Sequence, residues 1–260
     1  MSDSTTPATM SLISCKPSMA NRRTSRRGLL KQSVNVAAAA ALCSLSVAGV
    51  TTPTFAAALT KEQRDKLTPE QVLQSLADGN ERFRTGTMQG HDYIAQKRAT
   101  REGQFPMAAI LSCIDSRAPA EIILDTGIGE IFVSRVAGNI ANDDLLGSLE
   151  FACAVAGAKL ILVMGHTACG AIKGAIDGAE LGHLTGLLEK IKPSVVATSY
   201  TGERMSKNYA FVDAVAKTNV IHTVAAIRGQ STVLANLEKD GKIKWNAQER
   251  DSLLKTRTGI

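Results

Sequence analysis

Apolar residues along the chain fall into two kinds of pattern. Short, largely apolar runs occur at 107–112 and 160–164, with a more mixed one at 130–136, and runs of that length predict strands of a sheet covered on both faces. Around them the spacing turns helical. Val72, Leu73, Leu76, Ala77 and Phe83 mark one helix, with Thr68 as its N-cap and Pro69 at its first position; Gly79 and Asn80 inside it put its continuity in question. Further helices are predicted over 91–100, from 120 to 124 with Pro119 near the first turn, over 144–156, over 181–196 with an interruption near Pro193, over 209–227, and over 231–239, where Asp240-Gly241 ends the pattern. Residues 242–245 enter a fourth strand. This alternation predicts an α/β fold with a mostly parallel central sheet flanked by helices. Functional side chains are then expected where strands end, at the carboxyl edge of the sheet.

Composition changes the picture only at the amino terminus. The 260 residues are 44% hydrophobic and 21% charged, with a formal charge of +6. That basicity would suggest a nucleic-acid partner if it were spread over the chain. It is not: Lys16, Arg22, Arg23, Arg26, Arg27 and Lys31, six of the 30 basic residues, lie before Leu59 with one of the 24 acids, Asp3, so 24 basic face 23 acidic residues from Leu59 onward. A nucleic-acid role falls away. Arg26-Arg27-Gly28-Leu29-Leu30-Lys31 precedes an uncharged run over 34–50 and the small residues Ala56-Ala57-Ala58, the order of a secretory signal. The paired arginines resemble the twin-arginine signal that exports folded proteins. Residues 1–58 are therefore read as a leader cut after Ala56 or Ala58, and the product as periplasmic or otherwise exported. The apolar run is short and alanine-rich for a spanning helix, so no permanent membrane span is expected after processing. Residues 59–106 form an N-terminal helical arm, 107–245 the α/β domain, and 246–260 a tail.

The chemistry gathers at two strand ends. The first predicted strand runs into Cys113-Ile114-Asp115-Ser116-Arg117, and the third into His166-Thr167-Ala168-Cys169-Gly170. Two thiolates and an imidazole are a catalytic zinc ligand set with a fourth position open. Of the five cysteines, Cys15 and Cys43 leave with the leader, and Cys153 falls mid-helix among Phe151, Ala152 and Ala154 as a core residue. An odd thiol count in an oxidising compartment invites mispairing unless some thiols are occupied, so a metal loaded before export and the export signal support each other. Asp115 and Arg117, two apart, can form a bidentate pair that keeps the acid ionised. His91, His183 and His222 lack ligand-like neighbours and are read as surface or packed residues.

Cys113-x-Asp115-x-Arg117 with His166-x-x-Cys169 resembles the β-class carbonic anhydrases, and the similarity extends from about Thr68 to Lys244. The resemblance implies one Zn2+ per chain held by Cys113, His166 and Cys169, a zinc-bound hydroxide that converts carbon dioxide to bicarbonate, and a homodimer or higher even oligomer. It implies catalytic roles for Asp115 and Arg117, with Asp115 pairing with Arg117 in an open form and joining the metal in a closed form at lower pH. Gln104 matches an amide that contacts substrate, Phe132 an aromatic pocket wall, and Phe151 a position held by tyrosine in plant-type members; Gly170 completes the substrate-binding set. A regulatory bicarbonate site found in some bacterial members is not expected, because Ile110 and Ser112 stand at its positions. The chain departs from the family after Lys244: Trp245 and the polar residues after it replace a longer fourth strand and an antiparallel fifth, so the edge hairpin is expected to be altered or missing. Similar proteins use the same motif to hydrolyse carbon disulfide or carbonyl sulfide, and a non-catalytic zinc or bicarbonate-binding module is the remaining alternative.

Overall fold

The computed structural model describes residues 54–55 and 58–246, all within the second of two compact units, Thr52–Ile260. The paired arginines, the apolar run, Ala56 and the tail from 247 onward lie outside the described residues.

The arm begins with β1 (Thr54–Phe55) and α1 (Lys61–Lys66). α1 is a polar helix that hydrophobic spacing does not reveal; its signal is a capping box, with Thr60 and Gln63 exchanging side-chain and backbone bonds. α2 (Pro69–Thr85) starts on its own box between Thr68 and Gln71. It continues through Gly79 and Asn80, and the reason is packing. A Cβ on Gly79 would stand 2.0 Å from the carbonyl oxygen of Leu124, so the helix backbone approaches as closely as glycine allows. The neighbouring Asn80 amide donates to the Ile123 carbonyl at 3.1 Å. The usual cost of a helical glycine, about 1 kcal/mol, is offset by this contact. β2 (Gly90–His91) pairs parallel with β1, and α3 (Tyr93–Ala99) starts two residues later than predicted, on the Asp92 cap.

The main sheet contains β3 (Ala108–Ser112), β4 (Ile131–Arg135), β5 (Leu160–Met164) and β6 (Lys244–Asn246), all parallel, in the order β4-β3-β5-β6. Every residue of β3 and β5 is buried. Alternate positions serve opposite faces. Ala108, Ile110, Leu160 and Leu162 pack beneath α2 and α4 (Ala120–Ile123) with Val72, Leu76 and Ile123. Ala109, Leu111, Ile161 and Val163 pack on the other face with Leu146, Leu149, Val224 and Leu234. Those last four come from α5 (Asp143–Glu150), α9 (Tyr209–Gln230) and α10 (Thr232–Lys239), the long elements of that layer. Described residues end inside parallel β6, so the expected loss of the edge hairpin lies outside them.

Three helical details differ from the sequence reading. The helix predicted over 144–156 changes form: after α5 the residues Phe151–Val155 make a π turn, closed by the Ala156 amide on the Phe151 carbonyl at 2.9 Å. The wider turn buries Ala152 and Cys153 while leaving Phe151 and Val155 exposed, and Arg64 of α1 donates to the Ala156 carbonyl. α6 (Gly170–Asp177), absent from the reading, follows Cys169 directly. The predicted 181–196 helix is two, α7 (Gly182–Glu189) and α8 (Lys192–Ala197), and Pro193 sits in the first turn of α8, where a missing N–H costs nothing.

α9 spans 22 residues with a mean hydropathy of 1.2 in its most apolar window, enough to cross a membrane by length and composition. Phe211, Val212, Val215, Ala216, Asn219, Thr223, Val224 and Ile227 are nevertheless buried inside the protein, at the three- and four-residue spacing of a core-facing stripe.

Candidate metal centre

β3 and β5 are neighbours with Ser112 opposite Met164. Their next residues, Cys113 and Gly165, therefore leave the carboxyl edge side by side. His166 follows one position later, and Cys169 is the N-cap of α6. The Sγ atoms of Cys113 and Cys169 are 4.0 Å apart, and both sulfurs and the imidazole nitrogen lie within 4.8 Å of one another. All three side chains are buried.

The donor set fits a tetrahedral metal. Two thiolates at about 2.3 Å from a common tetrahedral ion stand about 3.8 Å apart, close to the observed separation. His166 Nδ1 lies 2.9 Å from the Thr167 carbonyl, which makes Nδ1 the protonated nitrogen and leaves Nε2 with its lone pair free. That Nε2 is buried and finds no hydrogen-bond partner among the described residues. A buried acceptor without a donor is costly, and a cation beside two sulfurs removes the cost.

Electrostatics agree. Cys113 is drawn well below the ordinary thiol value, first by the Cys169 thiol and, against burial, by His166 and the Gly138 amide. Cys169 moves upward, because its proton serves Cys113 and because it is buried. The two shifts run in opposite directions because the thiols share one hydrogen bond. His166 is raised: burial alone would lower it, but the Cys113 sulfur and Asp115 outweigh that. The amides of Ile172 and Ala171, at the start of α6, act on Cys169 in the opposite sense, as a helix N-terminus does for an anion. Gly170 is the exposed first residue of α6, with open space around it.

Asp115 and Arg117 stand beside this cluster as the sequence predicts. Arg117 Nε donates to Oδ1 at 2.9 Å, Nη2 to Oδ2 at 2.8 Å, and the Arg117 amide to Oδ1 at 2.9 Å. These bonds hold the Asp115 carboxyl below the usual carboxylate range. Oδ2 is 3.8 Å from His166 Nε2, and both carboxylate oxygens of Asp115 are engaged by Arg117.

Two supports were invisible in the sequence. Arg135, the last residue of β4, donates through Nε to the Cys113 carbonyl at 2.9 Å and through Nη2 to the Asp115 carbonyl at 2.5 Å. α9 reaches the loop between His166 and Cys169 and the turn after β4: Asp213 Oδ1 accepts the amide of Ala168, whose φ is +54°, at 2.9 Å, Asn219 Nδ2 donates to the Gly138 carbonyl at 2.7 Å, and Val220 fills the space beside Gly165. The seven-residue spacing of Asp213 and Val220, two helical turns, is the sequence signal that these two positions share a face.

The expected substrate contacts are not brought to the cluster within one chain. Gln104 is exposed and precedes β3, so the length of that strand, about 17 Å, separates it from Cys113. Phe132 pairs with Ala109, four residues short of Cys113 and about 13 Å along the strand. Phe151, 52% exposed, meets Phe132 edge-on with ring centroids 6.1 Å apart. Alternation and spacing place these residues on elements; they do not say which end of a strand faces the metal. Cys153 is buried and its thiol is pushed up to about 12 by burial, an inert core residue. His91 is packed, with Nε2 3.1 Å from Asp125 Oδ1, and His222 lies 3.0 Å from Ser194 Oγ.

Parallel sheet, carboxyl-edge placement and Cys-His-Cys donor set define an α/β protein with a cluster able to hold a metal ion. The family described as "Carbonic anhydrase" matches residues 108–247. Carbonic anhydrase 2 of Mycobacterium tuberculosis is 35% identical over 181 residues, which cover 67% of this chain and 84% of that protein. Among solved structures, the β-carbonic anhydrase CafA of Aspergillus fumigatus aligns with a TM-score of 0.50 at 27% identity, over 56% of this chain and 71% of that one. One of two tetrameric β-carbonic anhydrases of Sordaria macrospora shares the fold with a TM-score of 0.50 at 24% identity, over 57% and 77%. The chain belongs to the β-class carbonic anhydrase family.

Proposed function

We propose that this chain catalyses the reversible hydration of carbon dioxide to bicarbonate and a proton, using one zinc ion held by Cys113, His166 and Cys169. The observation that carries the reading is the buried, partnerless Nε2 of His166 facing two cysteine sulfurs beside an ionised Asp115. Zinc in such a site supplies Lewis acidity that makes water a nucleophile near neutral pH. The chain's own groups do the rest. As an ionised carboxylate Asp115 accepts hydrogen bonds and donates none; with Oδ1 taken by two Arg117 donors, Oδ2 is the oxygen able to orient a reacting water. Arg117 keeps that carboxylate charged and aimed, and Arg135 fixes the loop beneath it.

Gln104, Phe132 and Phe151 take part in substrate binding only if a second copy delivers them, since each is remote from its own chain's cluster. Their location supports a homodimer or a higher even oligomer. The paired arginines and apolar run of residues 26–50 support export in the folded state, with cleavage after Ala56 or Ala58; amino-terminal sequencing of protein recovered outside the cytoplasm tests this.

Stopped-flow carbon dioxide hydration, with zinc measured on the same sample, tests the main reading. Turnover should rise with zinc content. Folded, zinc-loaded protein without turnover would mark a binding module, and turnover of carbon disulfide but not carbon dioxide would mark the alternative hydrolase.

A further inference from the structure

Cys113 sulfur receives one backbone donor from a distant loop. The Gly138 amide approaches it at 3.4 Å, from the short 3-10 turn Ala137–Asn139 that follows β4. This turn holds an unusual backbone: Gly138 has φ +68°, and a Cβ there would lie 2.5 Å from Ile191 Cδ1. The turn's own backbone bond, Asn139 N–H to the Val136 carbonyl at 2.9 Å, closes it without engaging the Gly138 carbonyl, and glycine is the residue with the most backbone freedom.

What holds it comes from α9. Asn219, 2% exposed, donates through Nδ2 to the Gly138 carbonyl at 2.7 Å. Its Oδ1 accepts from Ser194 Oγ of α8 at 3.2 Å, and Ser194 Oγ lies 3.0 Å from His222 Nδ1. Ser194 has a single hydroxyl proton. It is spent on Asn219, so His222 is the donor to Ser194, and the chain of donors runs one way, from His222 through Ser194 and Asn219 to Gly138. Ser194 thereby decides which end of the Asn219 amide is nitrogen. Gly138 is gripped at both its polar groups, its carbonyl by Asn219 and its N–H by the sulfur.

We propose that Asn219 is a positioning residue for the metal centre, holding the Gly138 amide against the Cys113 sulfur from the opposite side of the turn. The proposal rests on the reading of Cys113 as a metal ligand. Groups around a first ligand set its orientation and electron richness, and their loss commonly weakens metal binding 10- to 100-fold. Removing the amide donor leaves the thiolate more electron-rich, so a sulfur-to-metal charge-transfer band moves to lower energy.

The experiment uses the full chain loaded with cobalt(II), whose thiolate charge-transfer absorption reports on the sulfurs directly, together with cobalt affinity by competition with a chelator. Asn219→Ala should shift the band to longer wavelength and weaken cobalt binding by about 10-fold or more. Val224→Ala, buried one turn further along α9 and away from both ligand loops, serves as a control for general destabilisation and should leave band and affinity as in the wild type. Asn219→Ala with an unchanged band and affinity within about twofold of wild type overturns the proposal, as does an equal shift in Val224→Ala. If Asn219→Ala does not fold, Ser194→Ala decides: a smaller shift in the same direction supports the positioning role, and none overturns it. A wild-type protein with no thiolate band at all would overturn the metal reading, and this proposal with it.

Discussion

Arg117 grips Asp115 side-on, with two parallel bonds of 2.9 and 2.8 Å between guanidinium and carboxylate. Because Arg117 holds the folded-state carboxyl below its ordinary value of 3.8, the pair contributes stability that is fully present above that value. The contribution is lost as pH falls through the lower folded value. Carbon-13 NMR of the Asp115 carboxyl should therefore show no titration from neutral pH down to about 4. Arg117→Ala should move the midpoint upward. A wild-type midpoint above 3.8 would sink this account, and the expected result also means that any low-pH closure of the site is not driven by protonating Asp115.

Cys113 and Asp115, two residues apart, should separate metal binding from turnover. Cys113→Ser removes one of three donors, and the purified protein should carry little zinc and no measurable hydration activity. Asp115→Asn keeps all three donors and should retain zinc while losing roughly 100-fold in turnover, the scale of a lost proton acceptor. Zinc analysis with stopped-flow assay reads both; retained activity in the two variants would contradict the mechanism.

Phe151 tests the role of a second copy. Its ring is about half exposed against Phe132, so Phe151→Arg puts a charge on a surface patch and leaves the buried donors untouched. Sedimentation should show the wild type as an even multiple of the chain and the variant shifted toward monomer. Zinc content should hold and hydration should fall. A fully active monomeric variant would show that one chain suffices.

The arm offers a stability test. Asp125 is wholly buried and takes Arg82 Nε at 2.5 Å and His91 Nε2 at 3.1 Å. Arg82→Met removes the strong partner and leaves a buried carboxylate, which should cost about 3 kcal/mol in urea unfolding. The metal loops are at the other edge of the sheet, so zinc retention under native conditions should not change.

The sheet and the donor set were legible because each rests on a local signal. Apolar runs marked β3, β4 and β5, and a thiol or imidazole just after the apolar run at 113, 166 and 169 marked the centre. Where the signal was not apolar periodicity, the reading missed the element. α1 is polar and announces itself only by Thr60 and Gln63, and α6 starts directly after Cys169, a residue already read as a ligand in a turn. The π turn at Phe151–Val155 has the same sequence texture as an α-helix. Supports such as Arg135, Asp213 and Asn219 act across long stretches of chain, through contacts that exist only once the sheet and α9 are packed. Phe132 lies in the strand that the sequence predicts and Gln104 in the segment before β3, while Phe151 opens the π turn; all three stand away from the cysteine–histidine cluster of their own chain, since a match in spacing does not say which end of an element faces that cluster.

The hold of α9 on the loop before Cys169 and on the Gly138 turn has a consequence for biosynthesis. Asp213 and Asn219 lie more than forty residues beyond Cys169 in the chain. A nascent polypeptide that has already delivered every metal-binding side chain therefore still lacks the helix that sets their loops. The contacts that hold the surroundings of these side chains form only after this helix has been synthesised.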